Sequence, residues 1–243
     1  MIRPPSPSPS AWQALCGYAA SAGQARLVAL LIFTLVPAAA SAQPYVGSDT
    51  PHRGTWELGG GAVWTGGYDA GGANATLTRP GGGTPLTLFA VTGRMLGAPG
   101  AGVKLGLYLG VRVSVEGTLD YSRPVLRGLV TGDFEGAPDT SVDGVVVTYL
   151  ARGSLLYHFG RGRVVPFVSG GGGYLRQIDD ANADVVTGSE IHTGGGLKYW
   201  LGTGGRRLGF RIDGGLSARS KSVAFEQKRR IVPTLGVGLS FQF

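Results

Sequence analysis

The sequence predicts an all-β protein, an eight-stranded antiparallel transmembrane β-barrel with short periplasmic turns and long extracellular loops. Three observations predict it. From Ile231 the chain alternates to its last residue, with Ile, Pro, Leu, Val, Leu, Phe and Phe at odd positions and Val, Thr, Gly, Gly, Ser and Gln at even ones. Such a period of two gives a strand one apolar and one small or polar face. Seven earlier segments repeat the pattern, so the last strand has a sheet to join, and closing that sheet removes its open edge. Charged residues make up only 15% of the chain, which also holds 44 glycines. Soluble domains carry about 25% charged residues, so this composition suits an outside that faces lipid.

The front of the chain reads as export. Leu27 to Val36 is an apolar run after Arg26 and before Pro37, followed by Ala38-Ala39-Ala40-Ser41-Ala42. Basic, apolar and small residues in that order make a secretory signal peptide, and the run is shorter than the ~20 residues of a membrane-spanning helix. Cleavage is expected after Ala42. The signal peptide, with an unusually long leader, then occupies 1–42, a short periplasmic segment 43–53 and the barrel 54–243. Cleavage removes Cys16, the one cysteine, so disulfides play no part. Cys16 precedes the apolar run, which is the wrong side for lipidation. Loss of Arg3 and Arg26 leaves 20 bases against 15 acids, a net charge of +5. No Lys/Arg cluster interleaves with stacking aromatics, so nucleic acid is not an expected partner.

The strands are expected at 54–66, 98–110, 111–124, 143–158, 163–176, 189–202, 206–219 and 230–243. Each reaches the ~9–11 residues of a tilted membrane strand. Short connections fall at Gly110-Val111, Phe159 to Gly162 and Gly202 to Gly205, and long ones at 67–97, 125–142, 177–188 and 220–229. That alternation is the asymmetry of membrane barrels. Leu86 to Leu96 is strand-like, but a ninth strand would break the alternation. It is therefore placed in the first loop, as an upward extension of the second strand.

A membrane barrel demands that charges avoid the lipid face, where Lys or Arg at mid-depth costs about 2–4 kcal/mol. Trp56, Leu58 and Trp64 oppose Glu57, and Leu105 and Leu107 oppose Lys104. Val113, Val115, Leu119 and Tyr121 oppose Arg112, Glu116 and Asp120. Tyr149, Leu155 and Tyr157 oppose Arg152 and His158, while Ile191, Leu197, Tyr199 and Leu201 oppose Glu190, His192 and Lys198. Leu208, Phe210, Ile212 and Leu216 oppose Arg207, Arg211 and Asp213. The fifth strand, Val164 to Val168 and then four glycines, is apolar on both faces and gives no assignment. Aromatic residues form two bands, as interfacial girdles do. Trp56, Tyr157, Phe167, Tyr199, Phe241 and Phe243 mark the periplasmic end, and Trp64, Tyr121, Tyr149 and Tyr174 the outer end.

Eight strands leave an interior that side chains fill. Glu57, Glu116, Asp120 and Asp213 are set there against Lys104, Arg112, Arg152, Lys198 and Arg211. The near balance predicts a paired network that plugs and stiffens the barrel, since buried charges are tolerated when paired.

Catalytic and metal residues are sparse. The three histidines are His52, His158 and His192. Ser154 shares a face with His158 but lies four residues away, too far for a nucleophile–base pair. Gly170 to Gly173 lacks the Lys-Ser/Thr of a phosphate loop, and no zinc pattern exists. No catalytic, cofactor-binding or metal site is expected. The acidic groups Asp133/Glu135/Asp139/Asp143 and Asp179/Asp180/Asp184 read as solvated loops. Lys221, Lys228, Arg229 and Arg230 fall near the outer interface, where they would contact lipopolysaccharide phosphates.

The strand rhythm over 54–243 and the terminal Phe243 resemble the small outer-membrane β-barrel group, that of the OmpA transmembrane domain and the OmpX-type barrels. The resemblance implies a bacterial outer-membrane location, with lipid and lipopolysaccharide around the barrel. It also implies recognition of Phe241 and Phe243 by the barrel-assembly machinery. Within the group the expected role is non-enzymatic, an envelope structural or surface-interaction barrel with a plugged polar interior. The alternative is a narrow channel or transporter for small or apolar solutes. Lipid A deacylases of similar size carry a His-x-Ser pair on the lipid-facing surface. Here Thr193 and Gly194 follow His192, which argues against a lipid A-modifying enzyme.

Overall fold

The computed structural model describes residues 51–77, 84–160, 162–180, 184–201, 207–225 and 228–243. The chain divides into two units, Met1–Tyr45 and Val46–Phe243. The first, with the expected signal peptide, lies outside the described residues, as does the expected turn at Gly202 to Gly205.

Among the described residues the second unit holds eleven strands: β1 Trp56–Thr65, β2 Tyr68–Leu77, β3 Leu86–Met95, β4 Ala98–Tyr108, β5 Val113–Ser122, β6 Val125–Thr131, β7 Thr140–His158, β8 Val164–Asp179, β9 Val185–Leu201, β10 Arg207–Arg219 and β11 Arg230–Gln242. Eight of them close on themselves in the order β1-β4-β5-β7-β8-β9-β10-β11, with β11 returning to β1 and every pairing antiparallel. The closing seam runs from Glu57 opposite Gln242 to Thr65 opposite Thr234. Phe243 completes it, since its N–H donates to the Trp56 carbonyl and the Trp56 N–H donates to its own, both at 3.0 Å.

The remaining strands correct the expectation that 67–97 and 125–142 are loops. β2 and β3 form a hairpin, β3 pairs with β6, and β6 pairs with the first residues of β7. The segment Leu86–Met95 is thus a true strand, yet it adds none to the barrel. It continues β4 upward into a sheet that rises from the rim. The bend comes at Gly66-Gly67, where a β-carbon on Gly67 would lie 2.4 Å from the Met95 carbonyl oxygen. Only a residue without a side chain lets the two chains approach so closely. On this upper sheet Arg127 grips both oxygens of Asp143 at 2.9 Å, which holds that exposed carboxyl below its usual range.

Alternation sorts the barrel strands. Leu58, Leu105, Leu119, Leu155, Ile191, Ile212 and Leu239 are exposed on the outside, while Glu57, Glu116, Asp120, Glu190, Lys198, Arg207, Arg211 and Arg219 are buried inside. The apolar packing cluster lies at the outer end, where Tyr68, Met95, Val146 and Val232 meet with Leu126 and Val223 against them. β8 resolves the face that alternation left open. Val164, Val168 and Tyr174 point out, and Val165, Phe167 and Leu175 point in. Phe167 is therefore not part of the inner girdle. It is buried because two cations stand over its ring, Lys198 at 5.4 Å and Arg211 at 4.7 Å.

Candidate functional site

Among the described residues the interior concentrates buried polar chemistry, and strand topology dictates which groups meet. β5 and β10 are four places apart in a ring of eight, so side chains joining them cross the full width of the barrel. Arg211 of β10 does this, donating from both terminal nitrogens to the Glu116 carboxylate of β5, one of these contacts at 3.0 Å. Its Nε donates to Asp213 at 2.8 Å. Lys104 of β4 reaches the same carboxylate at 2.7 and 2.9 Å. Such charge-assisted, forked pairs are the strong class of hydrogen bond.

Nearer the Trp56 end, Lys198 Nζ donates to Glu57 Oε2 at 2.7 Å, and Tyr108 donates its hydroxyl proton to the same oxygen at 3.0 Å. Gln242 Nε2 donates to the Tyr108 hydroxyl at 3.0 Å, and Arg207 donates to Gln242 Oε1 at 3.1 Å. Aromatic faces finish the cluster: His158 stacks on Tyr108 at 5.1 Å, and Arg207 sits 5.4 Å over Trp200. Cations over rings gain attraction that grows with desolvation.

A second cluster lies toward the outer end. Arg152 donates through Nε to Glu190 at 2.7 Å, and its NH2 stands 3.1 Å from Asp120. Arg219 donates to the other Glu190 oxygen at 3.1 Å. Arg152 and Glu190 belong to β7 and β9, with β8 between them. They meet because Gly173 is the residue opposite both. One step along, Gly171 similarly separates Ser154 from His192, whose Oγ and Nε2 are 2.9 Å apart. The glycine run of β8 is thus a bare strip over which its neighbours join hands.

These contacts locate the charges expected inside. Glu57, Lys104, Glu116, Asp120, Arg152, Lys198, Arg211 and Asp213 lie in the two clusters. Arg112 does not. It is exposed in the connection 109–112 and reaches only the Tyr157 hydroxyl, at 3.4 Å, because β5 starts at Val113 and the turn takes Arg112 out of the alternation. Glu190 and Arg219 were not expected in the network. β9 begins at Val185, so Glu190 lies deeper in its strand than the pattern implied, and Arg219, the last residue of β10 as of the expected strand, joins the network because it pairs opposite Glu190.

The expected outer basic group also divides. Lys221, Lys228 and Arg229 are exposed. Arg230 is buried instead: its Nε donates to the Asp69 carbonyl at 2.6 Å, and its guanidinium lies 5.5 Å over Tyr68. As the first residue of β11 it obeys that strand's inward alternation. Phe241 and Phe243 face outward, their rings stacked at 5.9 Å. Deleting Phe243 removes both backbone bonds that end the closing seam. The folded fraction after assembly should drop several-fold, read as loss of the heat-modifiable gel band, while barrels that do fold unfold close to the wild-type midpoint.

Among the described residues no group of His, Cys, Asp or Glu is arranged to hold a metal. The Ser154–His192 contact stops short of a catalytic triad. His192 Nδ1 lies 4.0 Å from Glu190, beyond hydrogen-bond reach, and that carboxylate is already held by two arginines.

No protein-family model matches the chain, and no curated protein sequence matches it. Among solved structures it is similar to the outer membrane protein OprG from Pseudomonas aeruginosa, with a TM-score of 0.53 and 11% identity over 81% of this chain and 99% of that one. It is also similar to Ail, the attachment invasion locus protein of Yersinia pestis, crystallised with the heparin analogue sucrose octasulfate (TM-score 0.45, 13% identity, 79% and 99% covered). The outer membrane protein AlkL in lipid bilayers gives a TM-score of 0.40 at 15% identity, with 83% and 96% covered. Together with the closed ring of eight strands, the match to OprG identifies the fold: this chain forms an eight-stranded antiparallel β-barrel of the kind seen in that outer membrane protein.

Proposed function

We propose that the chain is a non-enzymatic integral barrel of the bacterial outer membrane, closed to solutes, with a structural or surface-presenting role in the envelope. The observation that carries this reading is the Arg211–Glu116 pair, which joins opposite walls of the barrel. The Lys198–Glu57 and Arg152–Glu190 pairs lie to either side of it. Moving ions through would require parting buried pairs, each costly to break because the partner left behind is uncompensated. The apolar cluster of Tyr68, Met95, Val146 and Val232 at the outer end supports the same reading. The Ser154–His192 contact, with the Glu190 carboxylate 4.0 Å from the ring and held by two arginines, supports a non-enzymatic role.

Proteoliposomes test this through permeation. Vesicles carrying the wild-type barrel should resist swelling in small sugars and amino acids as empty vesicles do. Swelling at the rate given by a general porin would replace this reading with the channel one.

A further inference from the structure

We propose that the outer rim over β8 to β11 binds the phosphoryl groups of lipopolysaccharide, through Arg176, Lys221, Lys228 and Arg229. Four observations place these cations together. Arg176 is exposed on the outer face of β8, opposite Tyr149 on one side and Thr187 on the other. The Tyr149 ring packs on Tyr121 at 5.4 Å, and both are exposed on the outer face. Such rings sit at headgroup depth, so Arg176 stands at the level of lipid phosphates. A cation on the lipid face is tolerated at that level and expensive below it.

Next to Thr187 is Gly188, and Lys221 lies directly on it. A β-carbon at Gly188 would fall 2.2 Å from the Lys221 carbonyl oxygen. Lys221 itself is held at φ 63, left-handed backbone that a side-chain-bearing residue rarely adopts. The neighbouring Ser220 is tied to Ser189 of β9 by hydroxyls 2.7 Å apart. Lys221 therefore lies in the same angular sector of the rim as Arg176, with its backbone on the inward side of Gly188 and Arg176 on the outward face of β8.

Lys228 and Arg229 complete the sector. Buried Arg230 anchors them by donating to the Lys228 carbonyl at 3.1 Å. Ser220, Lys221, Lys228 and Arg229 line one recess of about 470 Å3. That lies within the roughly 300–1,000 Å3 of small-molecule sites. Among the described residues the recess is lined by three cations and by Ser220, whose hydroxyl is bonded to Ser189. Acids of the β8–β9 tip lie further along the strands, and Asp180 there is held by Arg123 at 3.0 Å. Arginine forks and lysine point charges both suit phosphoryl oxygens. The assignment does not depend on whether the lumen conducts.

The test uses the full-length barrel in nanodiscs and bisphosphorylated lipid A as the probe. Lys221→Ala/Lys228→Ala/Arg229→Ala should bind this lipid about tenfold or more weakly, as expected for loss of charged hydrogen bonds. Wild type and variant should bind enzymatically dephosphorylated lipid A equally. Arg229→Gln, a single change at an exposed position, should move affinity in the same direction without touching the fold. Unchanged affinity in both variants would overturn the site, as would a wild-type barrel that ignores dephosphorylation. Displacement of lipid A by inorganic phosphate at millimolar levels would overturn the lipid assignment in favour of a free anion.

Discussion

Replacing Glu190 by alanine is expected to destabilise the folded barrel by about 3–5 kcal/mol, the range for breaking a buried ion pair from one side. The side chain of Glu190 is fully buried, and its two oxygens are divided between Arg152 at 2.7 Å and Arg219 at 3.1 Å. Its removal leaves two guanidiniums in the lumen with a single carboxylate nearby, Asp120, which stands beside Arg152 only. Glu190→Gln keeps acceptor and volume but loses the charge, so it should fall between alanine and wild type. Reversible urea unfolding in lipid vesicles, followed by tryptophan fluorescence, measures the difference. Coincident unfolding curves for Glu190→Ala and wild type would mean that the outer cluster holds nothing together.

The second large effect concerns a residue with no side chain at all. Gly171→Ala should sharply reduce assembly of the folded barrel, and Gly153→Ala should not. A β-carbon at Gly171 would lie 2.0 Å from the Gly153 carbonyl oxygen, whereas one at Gly153 meets nothing within 4 Å. Both substitutions raise strand propensity equally, so the contrast isolates packing. Overpacking a filled interior costs about 1–3 kcal/mol or more, and here the obstacle is backbone, which cannot rotate aside. The same methyl would stand between Ser154 and His192 and part their 2.9 Å contact. The ratio of folded to unfolded bands on an unheated detergent gel reads the outcome. Equal folded fractions for the two variants would show that the close approach of β7 and β8 at Gly171 is not required.

The eight barrel strands were legible because lipid outside and packed charge inside impose opposite demands on alternate residues. Lys104 between Val103 and Leu105, or Arg211 between Phe210 and Ile212, declares its face at once. β2 and β6 were not legible as strands, and β3 showed its strand character at Leu86 to Leu96 but not its partners. All three rise beyond the rim, where neither demand acts, and residues such as Gly71, Gly72, Asn74 and Thr76 carry no two-fold contrast. β8 hid its faces for another reason, because Phe167 is an apolar residue placed inside to receive two cations rather than to exclude them. Turn length decided the fate of Arg112, strand length that of Glu190, and cross-strand register that of Arg219, which pairs opposite Glu190. Alternation names a side of the sheet but not where the sheet stops. The Ser154–His192 and Arg152–Glu190 contacts depend on register across a third strand, which one chain's periodicity does not contain. The glycines opposite them were the available signal, since a bare strip on one strand lets its two neighbours meet.

The central claim is that the paired charges close the lumen, and single-channel recording in a planar bilayer addresses it most directly. The wild-type barrel should show no steady unitary current at potentials that leave the bilayer intact. Glu116→Ala, which removes the far anchor of Arg211, should introduce flickering openings. Stable, uniform openings of the wild-type barrel, unchanged in Glu116→Ala, would contradict the account, because ions would then be crossing without parting the Arg211–Glu116 pair.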